Sequence, residues 1–573
     1  MAPPSLLGPP QLYLPTPPPS KPPQPQTPSD PFMKLMEADS HEARTKPPMG
    51  RTENGSATFL SSGNPCLDFF FHVVPDTPPE SLKQRLRLAW DHNPLTTLKL
   101  ICNLRGVRGT GKSDKEGFFT AASWLHQHHP KTLACNLDSL ADFGCFKDLP
   151  EMLYRLLEGS DIRKTRKEEW SKRKLGVRKT TMMKPHRKTK KKKKEPKEAD
   201  MKAMKSNKLR KIGLASKWCP SVDSAFDKST LLCEGIAKKM FTRKKYPEYV
   251  GMEEAHYAYK VRDRLRKEVL VPLHKVLELP EVYIGANQWD LIPYNRVASV
   301  AMKFYKEKFL AHDKERFSEY LEDVKAGKST ITAGALLPHE IIASLQDKDG
   351  GEVAELQWQR MVNDLLQKGK LRNCMAICDV SGSMKGIPME VSVALGVLVS
   401  ELSEEPWKGK LITFSKNPKL QMVEGETLEE KTSFVENMDW GMNTDFQKVF
   451  RLILKVAVKG KLKPEQMIKR LFVFSDMEFD RASANSWETD YQKIVRKFTK
   501  KGYGESIPQI VFWNLRDSKA TPVPGTQNGV ALVSGFSKNL LKMFLDQDGD
   551  INPEAVMEAA ISGEEYQKLV VLD

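Results

Sequence analysis

The 573-residue sequence predicts two architectures in one chain: an all-α helical-repeat module, then an α/β domain built on a doubly wound sheet. Three observations carry this expectation. Between residues 57 and 345 apolar residues recur at helical spacing, punctuated by proline and polar residues. From residue 371 onward, short, continuously apolar runs alternate with helical patterns, as expected for parallel strands buried on both faces. Residues 163–211 hold 23 Lys or Arg against 5 Asp or Glu, a net charge of +18, whereas the whole chain carries +17. The basic character therefore belongs to one appendage, and the remainder is near neutral.

Residues 1–56 are proline-rich and are read as a disordered or extended tail with PxxP-type spacing. Residues 57–162 form the first part of the helical module, with helices expected over Ser81–Trp90, Pro94–Leu104, Phe118–His128 and Leu149–Leu157. No fixed-length repeat is visible, so the repeat architecture rests on helix content. Residues 163–213 are a disordered Lys/Arg-rich insertion centred on KPHRKTKKKKKEPK, kept solvated by self-repulsion. A nuclear import signal, a nucleic-acid-binding arm and a passive solubilising loop are all open readings of it.

Residues 214–345 are the second helical part, with Ala258–Leu279 (kinked at Pro272), Val297–Phe309 and Asp313–Lys325. Its basic residues suit either a phosphate-binding stripe or ordinary helix pairs with Asp263, Glu268 and Glu278. Residues 346–370 are a linker, with a hinge at 347–351 and a helix over 352–368. In the α/β domain, 371–573, strands are expected at 372–379, 409–414, 470–475, 508–514 and 529–534. Helices are expected at 388–403, 445–458, 489–501 and 537–546.

The densest chemistry lies at strand ends. Asp379, Ser381 and Ser383 follow the apolar run 375–378 in the string ICDVSGSMKG. A carboxylate and two hydroxyls there make a hard, all-oxygen pocket of the kind that suits magnesium. Thr444 and Asp445 open a helix in GMNTDFQKVF, and Asp476 ends the run LFVFS. In doubly wound sheets ligands bind at the carboxyl ends of strands, where Asp379 and Asp476 fall. Capping of the next helix by Asp379 and Ser381 is the plainer alternative, and an intact site that only stiffens the fold is a third. No histidine or cysteine nucleophile accompanies these segments, so binding is expected rather than bond cleavage.

Residues 106–113, GVRGTGKS, match the phosphate-binding loop pattern, which works only between a buried strand and a helix. The preceding segment has a helical apolar face in Leu95, Leu98, Ile101 and Cys102. A glycine-rich turn between helices is therefore expected, with Arg105, Arg108 and Lys112 exposed and free to touch RNA phosphates. His126, His128 and His129 lack a suitably spaced partner and read as a polar helix end. The eight cysteines show neither a zinc spacing nor a disulfide scaffold, which points to a reducing compartment. No run is long and apolar enough for a bilayer span, and the N-terminal sequence does not resemble a secretory signal.

The three segments bearing Asp379, Thr444 and Asp476, in this order, resemble the metal-ion-dependent adhesion site of a von Willebrand factor A domain. A helical module followed by CDVSGSM at the domain junction is similar to the TROVE-module family, the Ro RNA-binding autoantigen and its relatives. A closer resemblance is to the plant family named domain of unknown function 2828. It is carried by KWCPSVDSAFDKSTLLCEGIA, AHYAYKVRDRLRKEVLVPL, NRVASVAMKFY, CDVSGSM, WGMNTDFQKVF, LFVFSDMEFD and IVFWNLRDSKATPVPG.

These resemblances imply Asp379, Ser381, Ser383, Thr444 and Asp476 as the ligand set for Mg2+ (or Mn2+), some acting through water. In Ro-type proteins a helical ring is closed by the A domain and binds small structured RNAs. The implied function is a non-enzymatic, RNA-associated protein with a metal-dependent protein-binding domain, located in the nucleus, the cytoplasm or both. Expected partners are a small non-coding RNA and a protein offering a carboxylate, with no membrane. Arg105, Arg108, Lys112, Arg187, Lys188, Lys190, Lys191, Lys192, Lys193 and Lys194 are the candidate nucleic-acid contacts. The alternative is an assembly or scaffold factor whose metal site holds a client carboxylate and whose basic segment serves only nuclear import.

Overall fold

Asparagine-proline pairs start two helices of the first region and an aspartate cap starts a third. The computed structural model describes residues 47–180, 215–349, 351–413, 418–438, 445–480, 488–546 and 549–573. Counting helices of eight residues or more, α1 is Pro65–His72, α2 Pro79–His92, α3 Pro94–Arg105, α4 Lys115–His128, α5 Asp148–Glu158 and α6 Ile162–Thr180. Asn64, Asn93 and Asp114 cap α1, α3 and α4 by accepting first-turn backbone N–H groups, with Pro at the first helical position of α1 and α3.

Two boundaries differ from expectation. Residues 163–180 are helical, because Arg163 and Arg155 clamp the buried Glu151 carboxylate and anchor α6 to α5. Met49–Arg51 (β1) pairs antiparallel with Ala57–Phe59 (β2), so the ordered chain begins before residue 57. The lysine-rich centre of the insertion, and most of the N-terminal tail, lie outside the described residues.

The second helical part holds α7 (Leu232–Met240), α8 (Glu254–Arg264), α9 (Ser299–His312), α10 (Lys314–Lys325) and α11 (Glu352–Leu366). Near Pro272, where a kink is expected, the chain passes through a π turn at Leu265–Leu270 and resumes as Val271–Val276. The wider turn accommodates a residue that has no N–H and a bulky ring. This part has two small cores of its own, one around Cys233, Tyr257, Val261 and Leu265, the other around Tyr294, Phe309, Phe317 and Leu321.

The C-terminal region is a mixed six-stranded sheet: β3 (Cys374–Cys378), β4 (Lys410–Thr413), β5 (Leu420–Met422), β6 (Arg470–Ser475), β7 (Gln509–Asn514) and β8 (Val530–Ser534). The spatial order is β5-β4-β3-β6-β7-β8, parallel throughout except for the antiparallel edge strand β5. The winding direction reverses between β3 and β6. Crossovers of one hand that run in opposite directions put helices on opposite faces. Helices α12 (Ile387–Leu402), α13 (Leu428–Glu436), α14 (Phe446–Gly460), α15 (Asp490–Lys500) and α16 (Pro553–Ala560) complete the domain.

Helix α12 is apolar almost all round and is buried almost all round, between the sheet and the helices 338–342, α11 and α13. At Gly396 a Cβ would lie 2.1 Å from Cys378 Sγ, so only glycine lets α12 approach β3 this closely. One apolar core runs from Cys66 to Leu569, joining α1–α5 to the sheet without a break. The sheet domain meets both ends of the helical region: Ser534 and Asn514 donate to carbonyls of Phe70 and Phe71, and Lys538 donates to the Leu336 carbonyl.

Candidate functional site

β3 and β6 are adjacent and parallel, so the residues just past their carboxyl ends, Asp379 and Asp476, lie side by side at the point where the sheet reverses its winding. Both are fully buried. Asp379 Oδ1 accepts from the Ser381 N–H at 2.9 Å, and Oδ2 accepts from the Ser475 hydroxyl at 2.7 Å. The Ser381 and Ser383 hydroxyls are 3.0 Å apart. Asp476 Oδ1 accepts from the Glu478 N–H at 3.1 Å, whereas Oδ2 is buried and has no hydrogen-bond partner among the described residues. Among the described residues Arg516 forms an ion pair with that oxygen at 4.0 Å and donates to the Ser383 carbonyl at 3.1 Å.

Burial, and then the neighbouring Asp476 charge, push the Asp379 carboxyl up to about 6. Two buried carboxylates with one orphaned oxygen and two adjacent hydroxyls fit a hard divalent cation. Among the described residues no group of three or more His, Cys, Asp or Glu gathers as a metal cage. A cation here would lean on hydroxyls and water to fill its shell, as Mg2+ commonly does. Thr444 lies outside the described residues. Asp445, next to it, caps α14 by accepting the Lys448 N–H at 3.1 Å.

The rim brings in groups that the sequence motif does not contain. Glu478 Oε2 accepts the Glu53 N–H at 2.6 Å, and Thr52 donates to the Phe479 carbonyl at 2.8 Å, so the β1–β2 hairpin holds the loop after Asp476. Ser475 and Arg516 were not singled out by the sequence. Arg516 sits just past the end of β7, next to β6, and that register was its only signal.

The GVRGTGKS segment links α3 to α4, with no strand before it. Its amides are used internally: Lys112 N–H to the Asn103 carbonyl at 2.9 Å, and Ser113 N–H to the Gly106 carbonyl at 3.1 Å. A Cβ on Gly111 would lie 2.1 Å from the Gly106 oxygen, so these glycines serve close packing of the turn. The expected exposure is corrected for two residues. Arg105 is buried in a two-pronged ion pair with Asp148 at 2.8 and 3.1 Å. Lys112 is buried, donating to the Phe70 and Val73 carbonyls and to Ser534 Oγ, and burial pulls its ammonium down to about 7. Arg108 alone is exposed, with its guanidinium on the Asp142 and Gly144 carbonyls. Arg187, Lys188 and Lys190 to Lys194 lie outside the described residues. His129 stacks on Trp90 at 4.2 Å between ring centres, an aromatic packing role.

Comparison with known families decides the relationship. A model described as domain of unknown function (DUF2828) matches residues 52–208 and 195–371, more than half of the chain. The chain belongs to the DUF2828 family. Residues 373–570 of this DUF2828 protein match a second model, domain of unknown function (DUF7788), which spans the sheet and both buried aspartates. The chain is similar to the uncharacterized protein L728 of Acanthamoeba polyphaga mimivirus, 28% identical over 528 residues, covering 88% of this chain and 86% of that protein. Against the crystal structure of the Deinococcus radiodurans RO (RSR) protein, identity is 15%, with 88% of this chain and 99% of that chain covered. The TM-score of that pair is 0.35, too low for a shared architecture to be argued from it. Among the described residues no helix is long and apolar enough to cross a membrane.

Proposed function

We propose that this DUF2828 protein is a non-enzymatic, RNA-associated binding protein whose C-terminal domain is a von Willebrand factor A-like module with an adhesion-type Mg2+ or Mn2+ site. The observation that carries the reading is the buried Asp476 Oδ2 beside Asp379, which among the described residues accepts no hydrogen bond. Asp379, Asp476, Ser381 and Ser383 would hold the ion, with Thr444 as the remaining donor by resemblance. A divalent ion offsets the two carboxylates, and Arg516 adds a positive charge at the rim. The loaded site then favours an anionic oxygen, such as a carboxylate of a partner protein. The RNA association is supported by the 23 basic residues at 163–211, set between the two helical parts.

The burial of Arg105 and Lys112 favours a second reading. In it the protein is an assembly or scaffold factor that binds a client carboxylate, and the basic segment serves only nuclear import.

Calorimetric titration with MgCl2 and MnCl2 tests the metal site: uptake is expected in the natural chain and none in Asp476→Asn. Absence of uptake in the natural chain sinks the reading. Crosslinking and recovery from cells separates the two functions. Serine in place of Arg187, Lys188 and Lys190 to Lys194 reduces RNA recovery under the first. Under the second, Asp379→Ala removes the protein partner and RNA recovery is negligible throughout.

A further inference from the structure

Helices α14 and α15 pack side by side on the sheet domain, where Tyr503 donates to the Ala457 carbonyl at 2.9 Å and Lys497 to Gln447 Oε1 at 3.0 Å. The inner face of α14 is Phe446, Val449, Phe450, Ile453, Leu454 and Ala457. Its outer face carries Arg451, Lys455 and Lys459 at four-residue spacing, and α15 with the residue after it carries Arg496, Lys500 and Lys501, all exposed. Residues 445–463 and 488–501 together contain eleven Lys or Arg and three Asp or Glu, one of which, Asp490, is buried. The chain outside 163–211 has a net charge of only −1, so this face is a local segregation of charge.

Helix chemistry alone does not account for the arrangement. Lysine in a last turn complements the helix dipole, which covers Lys459, Lys500 and Lys501. It does not cover Arg451, Lys455 and Arg496 in mid-helix, where like charges four residues apart destabilise the helix. Asp445 pairs with Arg451 at 3.3 Å and Lys448 at 3.7 Å, and Glu488 pairs with Arg496 at 2.7 Å. Among the described residues Lys455, Lys459, Lys500 and Lys501 form no ion pair. Burial first, and then the charges of Lys493 and Arg451, pull Lys497 down to about 8.

We propose that the paired outer faces of α14 and α15 dock the phosphate backbone of RNA. The surface is dominated by lysine, a residue depleted at protein–protein interfaces but common on phosphates. Membrane-surface helices interleave their basic residues with Trp, Phe or Leu. Here the exposed apolar side chains of α14 are Val456 and Val458, and α15 has none. Basic residues four apart recur about every 6 Å along each helix, giving two neighbouring rows of positive charge. The proposal rests on the RNA-associated reading above and moves the principal contact from the lysine-rich segment and the α3–α4 turn to the sheet domain.

The test is fluorescence anisotropy of the full chain with a labelled single-stranded RNA oligonucleotide over a KCl series. Lys455→Glu/Lys459→Glu/Lys500→Glu is compared with the natural chain and with an off-face control, Lys314→Glu/Lys328→Glu. The expected result is at least about a tenfold loss of affinity in the triple variant, a salt slope shallower by about 2, and no change in the control. A triple glutamine variant, which keeps the surface neutral, gives a smaller loss in the same direction. Equal loss in the control, or unchanged affinity in the triple variant while serine substitution of residues 187–194 removes binding, overturns the proposal and leaves the RNA reading standing. No RNA binding by the natural chain overturns both. Photocrosslinks in the natural chain are expected in peptides 446–463 and 490–501, and crosslinks confined elsewhere count against the docking face. Retained RNA affinity in the triple variant with lost binding to phosphatidylserine vesicles assigns the face to membranes and overturns it.

Discussion

Lys112 Nζ and Ser534 Oγ lie 2.7 Å apart, joined across 422 residues of chain. The contact fastens the α3–α4 turn to the last strand of the sheet and takes up the ammonium that a nucleotide would require. Lys112→Met is therefore expected to lower stability by about 1–3 kcal/mol, the range for losing a buried donor to several acceptors. ATP and GTP should leave the thermal midpoint of the natural protein unchanged. Urea denaturation and a thermal-shift series check the two halves of this prediction.

Asp476→Asn replaces the buried carboxylate, whose Oδ2 accepts no hydrogen bond among the described residues, with an amide and removes the charge that opposes Asp379. In EDTA the variant should be more stable than the natural protein by about 1 kcal/mol. In added Mg2+ the order should reverse, because only the natural chain gains from binding. Thermal midpoints with and without the ion give both comparisons.

Arg516 stands 4.0 Å from Asp476 Oδ2, so its charge opposes any cation that enters. Arg516→Gln should tighten Mn2+ binding by about fivefold, equivalent to about 1 kcal/mol at an exposed rim. The same change should weaken capture of an anionic partner by the loaded site. Calorimetry with MnCl2 measures the first effect.

His339 is packed edge-on against Phe536, with ring centres 5.5 Å apart, and among the described residues its Nδ1 has no hydrogen-bond partner. Burial, with Lys303 adding to it, lowers its pKa from 6.5 to about 4, and burial likewise lowers His72. A lowered histidine pKa means the unfolded chain takes up the proton first. Stability is full above pH 6.5 and is lost as pH falls toward 4, with His339 alone contributing about 3 kcal/mol of that loss. His339→Leu should flatten the pH dependence of the thermal midpoint in that window.

Arg105 and Asp148 form an ion pair shielded from water. Arg105→Ala should cost about 3–5 kcal/mol, because it strands the Asp148 carboxylate. Asp148→Asn in the same chain should recover part of the loss. A double-mutant cycle in urea tests this coupling.

The parallel strands were readable because each is a short apolar run buried on both faces, as in LFVFS of β6. The edge strand β5, only Leu-Gln-Met and largely exposed, offers no such run. Helix α13 was missed although its capping box, Thr427 with Glu430, is visible in the letters. The meeting of Asp379 and Asp476 follows from the adjacency of β3 and β6, so two strand-end aspartates sufficed to suggest it. Ser475 and Arg516 enter through side-chain direction and strand neighbours, which a linear pattern does not encode. Arg105 and Lys112 were misread because composition marks them as surface residues. Their burial is set by Asp148, and by Ser534 more than four hundred positions away.

The β1–β2 hairpin grips the loop beyond Asp476 through Thr52 and Phe479, positions 427 apart. On the ribosome, at about 5–20 residues per second, tens of seconds separate the emergence of those two residues. For that interval α1, whose Phe70 and Phe71 carbonyls finish against Ser534 and Asn514, has its helical neighbours α2 and α3 but not the sheet to pack on. Severing the polypeptide near residue 372, where the two family models meet, should give two insoluble halves rather than two working domains.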